Sequence, residues 1–188
     1  MLRASAHLKQ LRNAGREDAR LDEAEKLLHQ GQCNCAYWHG VFGGLYLNHL
    51  RTALYEKLIA SDALLDAVAG RDTGESRFEA VDFDADGNLE GILENDRIAL
   101  FFNPSDGGTL FEFDYKPQPF NFGNTLTRRE EVYHDQLRKG GAVVGQEASG
   151  DLSIHELVKA KEKDLDKLLI YDPWRRVSLR DHFISDQA

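Results

Sequence analysis

The sequence predicts an α+β chain: a small helical bundle over residues 1–72, then a partial antiparallel β-sandwich with helical insertions over residues 75–188. Three observations carry this reading. Leucines in the first part recur at spacings of three and four. The hydrophobic period then changes from helical to alternating. All phenylalanines except Phe42 lie at or beyond position 78, the composition of an antiparallel sheet packing one aromatic face.

Residues 4–30 read as helical. Leu8 and Leu11 start a stripe, and Asn13-Ala14-Gly15 breaks it. Leu21, Ala24 and Leu28 then share one face, with Asp22, Glu23, Glu25 and Lys26 mostly outside it. Gly31 reads as the terminator of that helix. Leu47, Leu50, Leu54 and Leu58 carry a longer helix onward to Val68, and Gly70 with the polar run RDTGES closes it.

Residues 78–83, 97–102 and 109–115 read as strands. In the last, Phe111, Phe113 and Tyr115 alternate with Glu112 and Asp114, which predicts one buried face and one wet face. Asp106-Gly107-Gly108 is a turn signal ahead of it. Thr127-Arg128-Arg129-Glu130 and Ser153-Ile154-His155-Glu156 both match the S/T-x-x-E capping box. The first is expected to open a short helix reaching Lys139. The second is expected to open VKAKEKDLDKLLI as a surface helix or a decorated loop. Residues 177–184 return to strand-like character. A sandwich built only from these pieces is incomplete.

Composition narrows the function. The net charge of −9, from 32 acidic against 23 basic residues, argues against a nucleic-acid partner or an anionic membrane surface. No apolar run approaches the roughly 20 residues of a membrane span, and the N-terminal residues lack the apolar centre of a secretory signal. With Cys33 and Cys35 as the only cysteines, no disulfide framework is implied and a cytoplasmic setting is expected.

The chemically unusual stretch is residues 32–51, QCNCAYWHGVFGGLYLNHLR. Gly40, Gly43 and Gly44 permit close backbone packing or positive φ. Asn34, Tyr37, Trp38 and His39 combine flat apolar faces with hydrogen-bonding edges, which suits a sugar or another ring-shaped polyol. The alternative is that these rings fill a core or an interdomain interface. Cys33 and Cys35 have half the ligands of a zinc site and the wrong spacing, so they read as buried free thiols.

Asp82-Phe83-Asp84-Ala85-Asp86-Gly87-Asn88 matches the first half of a calcium loop, with oxygen ligands at alternate positions and glycine at the bend. The twelfth position is Leu93 rather than a bidentate Glu, and strands flank the loop. Asp82, Asp84 and Asp86 are therefore candidates for a weak structural calcium; the alternative is a hairpin turn whose aspartates cap exposed amides. No nucleophile elbow, phosphate loop, dinucleotide fingerprint or H-E-x-x-H motif is present. No carboxylate occupies a setting that sequence alone marks for a raised pKa.

Residues 32–51 resemble the helical-region signature of glycoside hydrolase family 57, in its 4-α-glucanotransferase and α-amylase branch, whose usual form is close to Q-C-N-D-x-Y-W-H-G-x-F-G-G-x-Y-L-P-H-L-R. DFDADG, ENDRI, GGTLFEFDYK, NTLTRREEVYH, SIHEL and YDPWRRVSLRDHF follow in that branch's order. The resemblance covers essentially the whole chain. It implies action on α-1,4-glucans or maltooligosaccharides by retention, with a Glu nucleophile and an Asp acid/base held in a preceding catalytic barrel domain.

Only 31 residues precede Gln32, so neither catalytic residue is assigned to this chain, which is expected to be an interior, non-catalytic piece. Its signature is expected to help form the sugar-binding groove. Trp38 would stack under a glucose ring, His39 and Asn34 would hydrogen-bond hydroxyls, and Tyr37 and Gly40 match alongside. Cys35 replaces a common Asp, removing an acidic contact, and Asn48 replaces a common Pro. The competing function, from another class, is a stand-alone carbohydrate-binding or accessory module without catalysis.

Overall fold

The first three helices are held by one apolar seam. The computed structural model describes residues 1–38, 43–138 and 164–183. Helices α1 (Leu2–Asn13), α2 (Ala19–Gly31) and α3 (Asn48–Val68) bury Ala4, Leu8 and Leu11 against Leu21, Ala24 and Leu28, with Leu65 and Val68 closing the cluster. Each buried leucine contributes about 2 kcal/mol of transfer free energy. Helix α2 starts where Asp18 accepts a hydrogen bond from Arg20 N at 2.9 Å, satisfying an amide that the first turn cannot. Ser61 Oγ, fully buried on α3, donates to Ala24 O at 2.8 Å and locks α3 onto α2.

Gly31 is the last residue of α2, and its role differs from the terminator read from sequence. A Cβ there would lie 2.6 Å from Leu58 Cδ2. The missing side chain lets α3 approach, and Gln32 takes the capping position.

The second half forms an antiparallel meander in the order β1-β2-β3-β4-β5: β1 (Arg77–Val81), β2 (Glu90–Glu94), β3 (Ile98–Asn103), β4 (Thr109–Tyr115) and β5 (Phe120–Asn121). The expected α+β class is observed, and this is the one sheet among the described residues. Side-chain caps shape its connections. Asn95 Oδ1 accepts from Arg97 N and Ile98 N, at 2.8 and 3.0 Å. Asn103 Oδ1 accepts from Asp106 N at 3.0 Å ahead of Gly107 and Gly108, both at φ +74°. Strand β2 was expected only as a strand without bounds after the aspartate loop, and β5 was not read from the sequence.

The alternation in β4 is reversed from expectation. Glu112 pairs with Phe101 and Asp114 with Ala99, on the sheet face that meets the helices; Asp114 is only 6% exposed. A register shift opposite Phe101 and Phe102 makes Phe111 an extra residue. Its ring turns inward to within 6.0 Å, between centroids, of both Phe83 and Phe101. Phe113 and Tyr115 stay on the outer face, where Phe78, Leu93, Phe120 and Phe122 are also exposed. The helices thus dock on the face the alternation marked as wet.

Charge makes that docking specific. Lys116 Nζ, buried, contacts Asp66 Oδ2 at 2.7 Å and Glu94 Oε2 at 3.0 Å. Arg77 reaches Asp66 at 2.6 Å, and Arg3 reaches Asp62 at 3.1 Å and also Glu94. Burial alone would raise the pKa values of Asp66 and Glu94. The cations outweigh it, Lys116 and Arg77 at Asp66 and Arg3 and Lys116 at Glu94, and hold both carboxyls below the usual range.

Beyond the sheet, α4 spans Val132–Arg138. It starts four residues later than the Thr127 capping box suggested. Thr127 Oγ1 instead accepts from Arg176 N at 2.9 Å, so the hydroxyl ties two loops together. Residues 177–183 make a single bridge, Ser178 with Leu110, rather than a strand; Ile184, the Ser153 capping box and most of the segment after it lie outside the described residues. Among the described residues no helix is long and apolar enough to cross a membrane.

Candidate functional site

Residues 32–51 form the connection from α2 into α3, and each anchor has a local cause. A 3-10 turn over Asn34–Ala36 follows α2, and another over Gly44–Tyr46 precedes α3. Gly43 and Gly44 take φ of +90° and +36°. A Cβ on Gly44 would fall 2.3 Å from Trp38 O and 2.5 Å from Cys35 O, so the two arms of the connection can meet only over glycine. Leu45 N donates to Trp38 O at 2.9 Å and closes the neck.

Tyr37 and Trp38 project from this neck, each 46% exposed. Tyr37 OH donates to Gly31 O at 2.5 Å, which fixes its ring against the end of α2, and burial of its hydroxyl end raises its pKa. Asn34 is exposed beside them. His39 and Gly40 lie outside the described residues. Cys33 and Cys35 are free and exposed rather than buried; the 3-10 turn buries only Ala36.

Arg51, the last residue of the signature, joins the connection to the sheet. Its Nη1 donates to Leu45 O at 2.5 Å and its Nε to Asn124 Oδ1 at 2.9 Å. Asn124 Nδ2 in turn donates to Thr52 Oγ1 at 3.0 Å. Beneath Tyr37 opens a cleft of about 280 Å³ bordered by Leu45, Arg51, Leu54, Tyr55 and Glu112. Burial, reinforced by Glu112 and Asp114, pushes the Tyr55 hydroxyl's pKa up.

Burial also raises Glu112, and it pushes Asp114 up to about 10, with the charge and hydrogen bond of Glu112 adding to the effect. A carboxyl pair two residues apart on one strand face, deprived of water, keeps a proton at neutral pH. Arg51, Tyr55 and this pair escaped the sequence reading. Arg51 reads only as the last residue of the signature, with no role of its own, and the acids look solvated.

Asp82, Asp84 and Asp86 do converge: one carboxylate oxygen from each lies within 4.8 Å of the others, all exposed. Asp82 already accepts from Asp86 N and Gly87 N, at 3.0 and 3.1 Å, and Asp86 Oδ1 accepts from Asn88 N at 2.7 Å. The donor set is oxygen-only and anionic, which fits a hard cation, but its capping bonds compete for the same lone pairs.

Comparison with known proteins decides the family. The family model described as "Alpha-amylase/4-alpha-glucanotransferase, C-terminal" matches residues 82–188, and its middle-domain counterpart matches residues 1–65. The chain belongs to the α-amylase/4-α-glucanotransferase family. This is the branch of glycoside hydrolase family 57 that residues 32–51 resemble.

Within the family, alpha-amylase 1 of Dictyoglomus thermophilum is 45% identical over 166 residues, covering 88% of this chain and 23% of that protein. The 4-alpha-glucanotransferase of Thermococcus litoralis is 38% identical over 165 residues, covering 88% of this chain and 24% of that protein. Its crystal structure superposes with a TM-score of 0.68 at 32% identity, covering 99% of this chain and 25% of the other. The chain spans about a quarter of the length of these relatives.

Proposed function

We propose that the chain is the non-catalytic helical and sheet portion of a cytoplasmic α-1,4-glucan-acting enzyme, a retaining hydrolase or a 4-α-glucanotransferase. Its two parts, residues 1–72 and 75–188, act with a separate catalytic barrel domain, and the connection over residues 32–51 lines the sugar groove. One observation carries this: Tyr37 and Trp38 are both half exposed on a neck fixed by Gly44 and Arg51. An indole face held this way meets the C–H face of a glucose ring, while Asn34 and His39 hydrogen-bond its hydroxyls.

The test is binding of maltoheptaose at the neck of the 188-residue chain, read on the ring signals of Tyr37, expected in the millimolar range and lost there on Trp38→Ala. Binding unchanged in that variant would remove the groove assignment. The same chain should not disproportionate maltooligosaccharides, and turnover by the pure chain would place catalysis within it. The convergence of Asp82, Asp84 and Asp86 supports a second, smaller proposal, a weak structural calcium held by these three carboxylates.

A further inference from the structure

A second cleft, of about 400 Å³, lies at the far end of β4 under residues 174–182. It is within the roughly 300–1,000 Å³ of ligand pockets. Its wall is Trp174, whose indole is 51% exposed. The His182 ring supports that indole at 4.6 Å between centroids. The Arg175 guanidinium carbon sits over Phe111 at 5.1 Å from the ring centre, a cation–π contact that does not itself use the guanidinium N–H donors in hydrogen bonds. Ser178 adds a hydroxyl on the same lining.

The cleft is a built feature. On one side Ser178 exchanges backbone hydrogen bonds with Leu110, at 2.9 and 3.0 Å. On the other Arg180 is paired with Asp106. Between the two anchors Leu179 is forced to φ +59° with its side chain 65% exposed. A branched residue in the left-handed region is strained, and such strain persists only where the surroundings over-determine it. Leu179 is part of the cleft lining.

We propose that this cleft is an accessory subsite for an α-glucan chain, separate from the neck of residues 32–51, with Trp174 as the stacking face and Arg175, Ser178 and His182 as hydrogen-bonding groups. The proposal rests on the glucan reading above. A neutral polyol fits better than an anion, because Arg176 is already committed to Asp172 at 2.9 Å and Arg180 to Asp106. The Arg175 guanidinium is engaged with the Phe111 ring face. An aromatic plane edged by fixed donors is the combination a sugar ring satisfies, hydrophobic on one face and hydroxylated at its rim.

The chain's two tryptophans, Trp38 and Trp174, give one indole N–H resonance each, so a titration of the 15N-labelled 188-residue chain with maltoheptaose reads both sites at once. We expect the Trp174 signal to shift saturably, to do so equally in Trp38→Ala, and to keep its midpoint when salt is raised. Trp174→Ala should cost at least about tenfold in affinity at this cleft, read on the signal of a labelled His182, whereas Trp174→Phe should retain most of it. Both positions are exposed, and matching melting temperatures confirm that the variants fold. A Trp38 shift with a silent Trp174 overturns this proposal and leaves the neck assignment standing. A Trp174 shift with a silent Trp38 does the reverse. Silence of both overturns both. A Trp174 shift produced by inorganic phosphate and erased by salt would make the cleft an anion site and overturn the glucan assignment.

Discussion

Lys116 Nζ and Asp66 Oδ2 stand 2.7 Å apart, both buried, although fifty positions separate them in sequence. The pair joins the turn after β4 to the last turns of α3. Glu94 and Asn95 O also accept from Lys116, so its ammonium donors are all used.

Lys116→Met should therefore destabilise the chain by about 3 kcal/mol, the low end for removing one partner of a buried pair. The low end applies because Arg77 still meets Asp66 and Arg3 still meets Glu94. Urea denaturation followed by circular dichroism would show a lower midpoint with an unchanged slope. An unshifted midpoint would mean that the seam is held by apolar packing alone.

Asp114 gives the opposite pH signature. Its pKa is raised in the folded chain to about 10 by burial and by Glu112, so the folded state holds a proton the unfolded chain releases near pH 4. Its stabilising contribution is complete below that unfolded value. It falls as pH rises toward 10, by at most about 1.4 kcal/mol per pH unit for one proton. Asp114→Asn keeps the shape without the ionisation, and should be more stable than the parent at pH 9 while matching it at pH 4. Melting temperatures at the two pH values check this; parallel pH profiles would show that the carboxyl is ionised in place.

How far these features could be read from residues alone depends on whether their cause is local. Helix α3 and the break at Asn13-Ala14-Gly15 were legible because stripe spacing and turn chemistry act within a few residues. Strand β5, only Phe120–Asn121, is too short to show a period. Glu112 and Asp114 misled for a different reason. Alternation tells that a strand has two faces, but which face is covered depends on what docks there. Their acidic neighbours on that face, Glu94 and Asp66, are paired by Arg3, Arg77 and Lys116, distant in sequence. Gly31 likewise serves Leu58 rather than its own helix end. At the candidate site, glycine density marked the neck, and Trp38 and Tyr37 were named. The Arg51 tether to Asn124 needs the fold to be seen.

Gly44→Ala tests whether that neck positions the aromatics. The new methyl would meet two backbone carbonyl oxygens, at Trp38 and Cys35, in a positive-φ conformation. We expect a loss of at least about 2 kcal/mol together with loss of the maltoheptaose response at Trp38. Gly15→Ala is the control. Gly15 has φ +69° but nothing within 4 Å of the added methyl, so only the conformational cost of about 1 kcal/mol applies. Equal effects from the two substitutions would show that backbone strain, rather than closure of the neck, governs residues 32–51.

The aspartate loop yields to thermodynamic linkage. Two of its three carboxylates are partly engaged as amide caps, which argues for a dissociation constant on the order of a millimolar. At about ten times that concentration, calcium should stabilise the fold by about 1.4 kcal/mol, or roughly 3–6 °C in melting temperature for a chain of this size. Asp84 makes the cleanest probe, because no capping bond to its carboxylate competes with a metal, so Asp84→Ala should abolish the calcium-dependent rise without changing the melting temperature in chelator. A melting temperature identical in calcium and in chelator for the parent chain would reduce the loop to a hairpin turn whose aspartates only cap its amides.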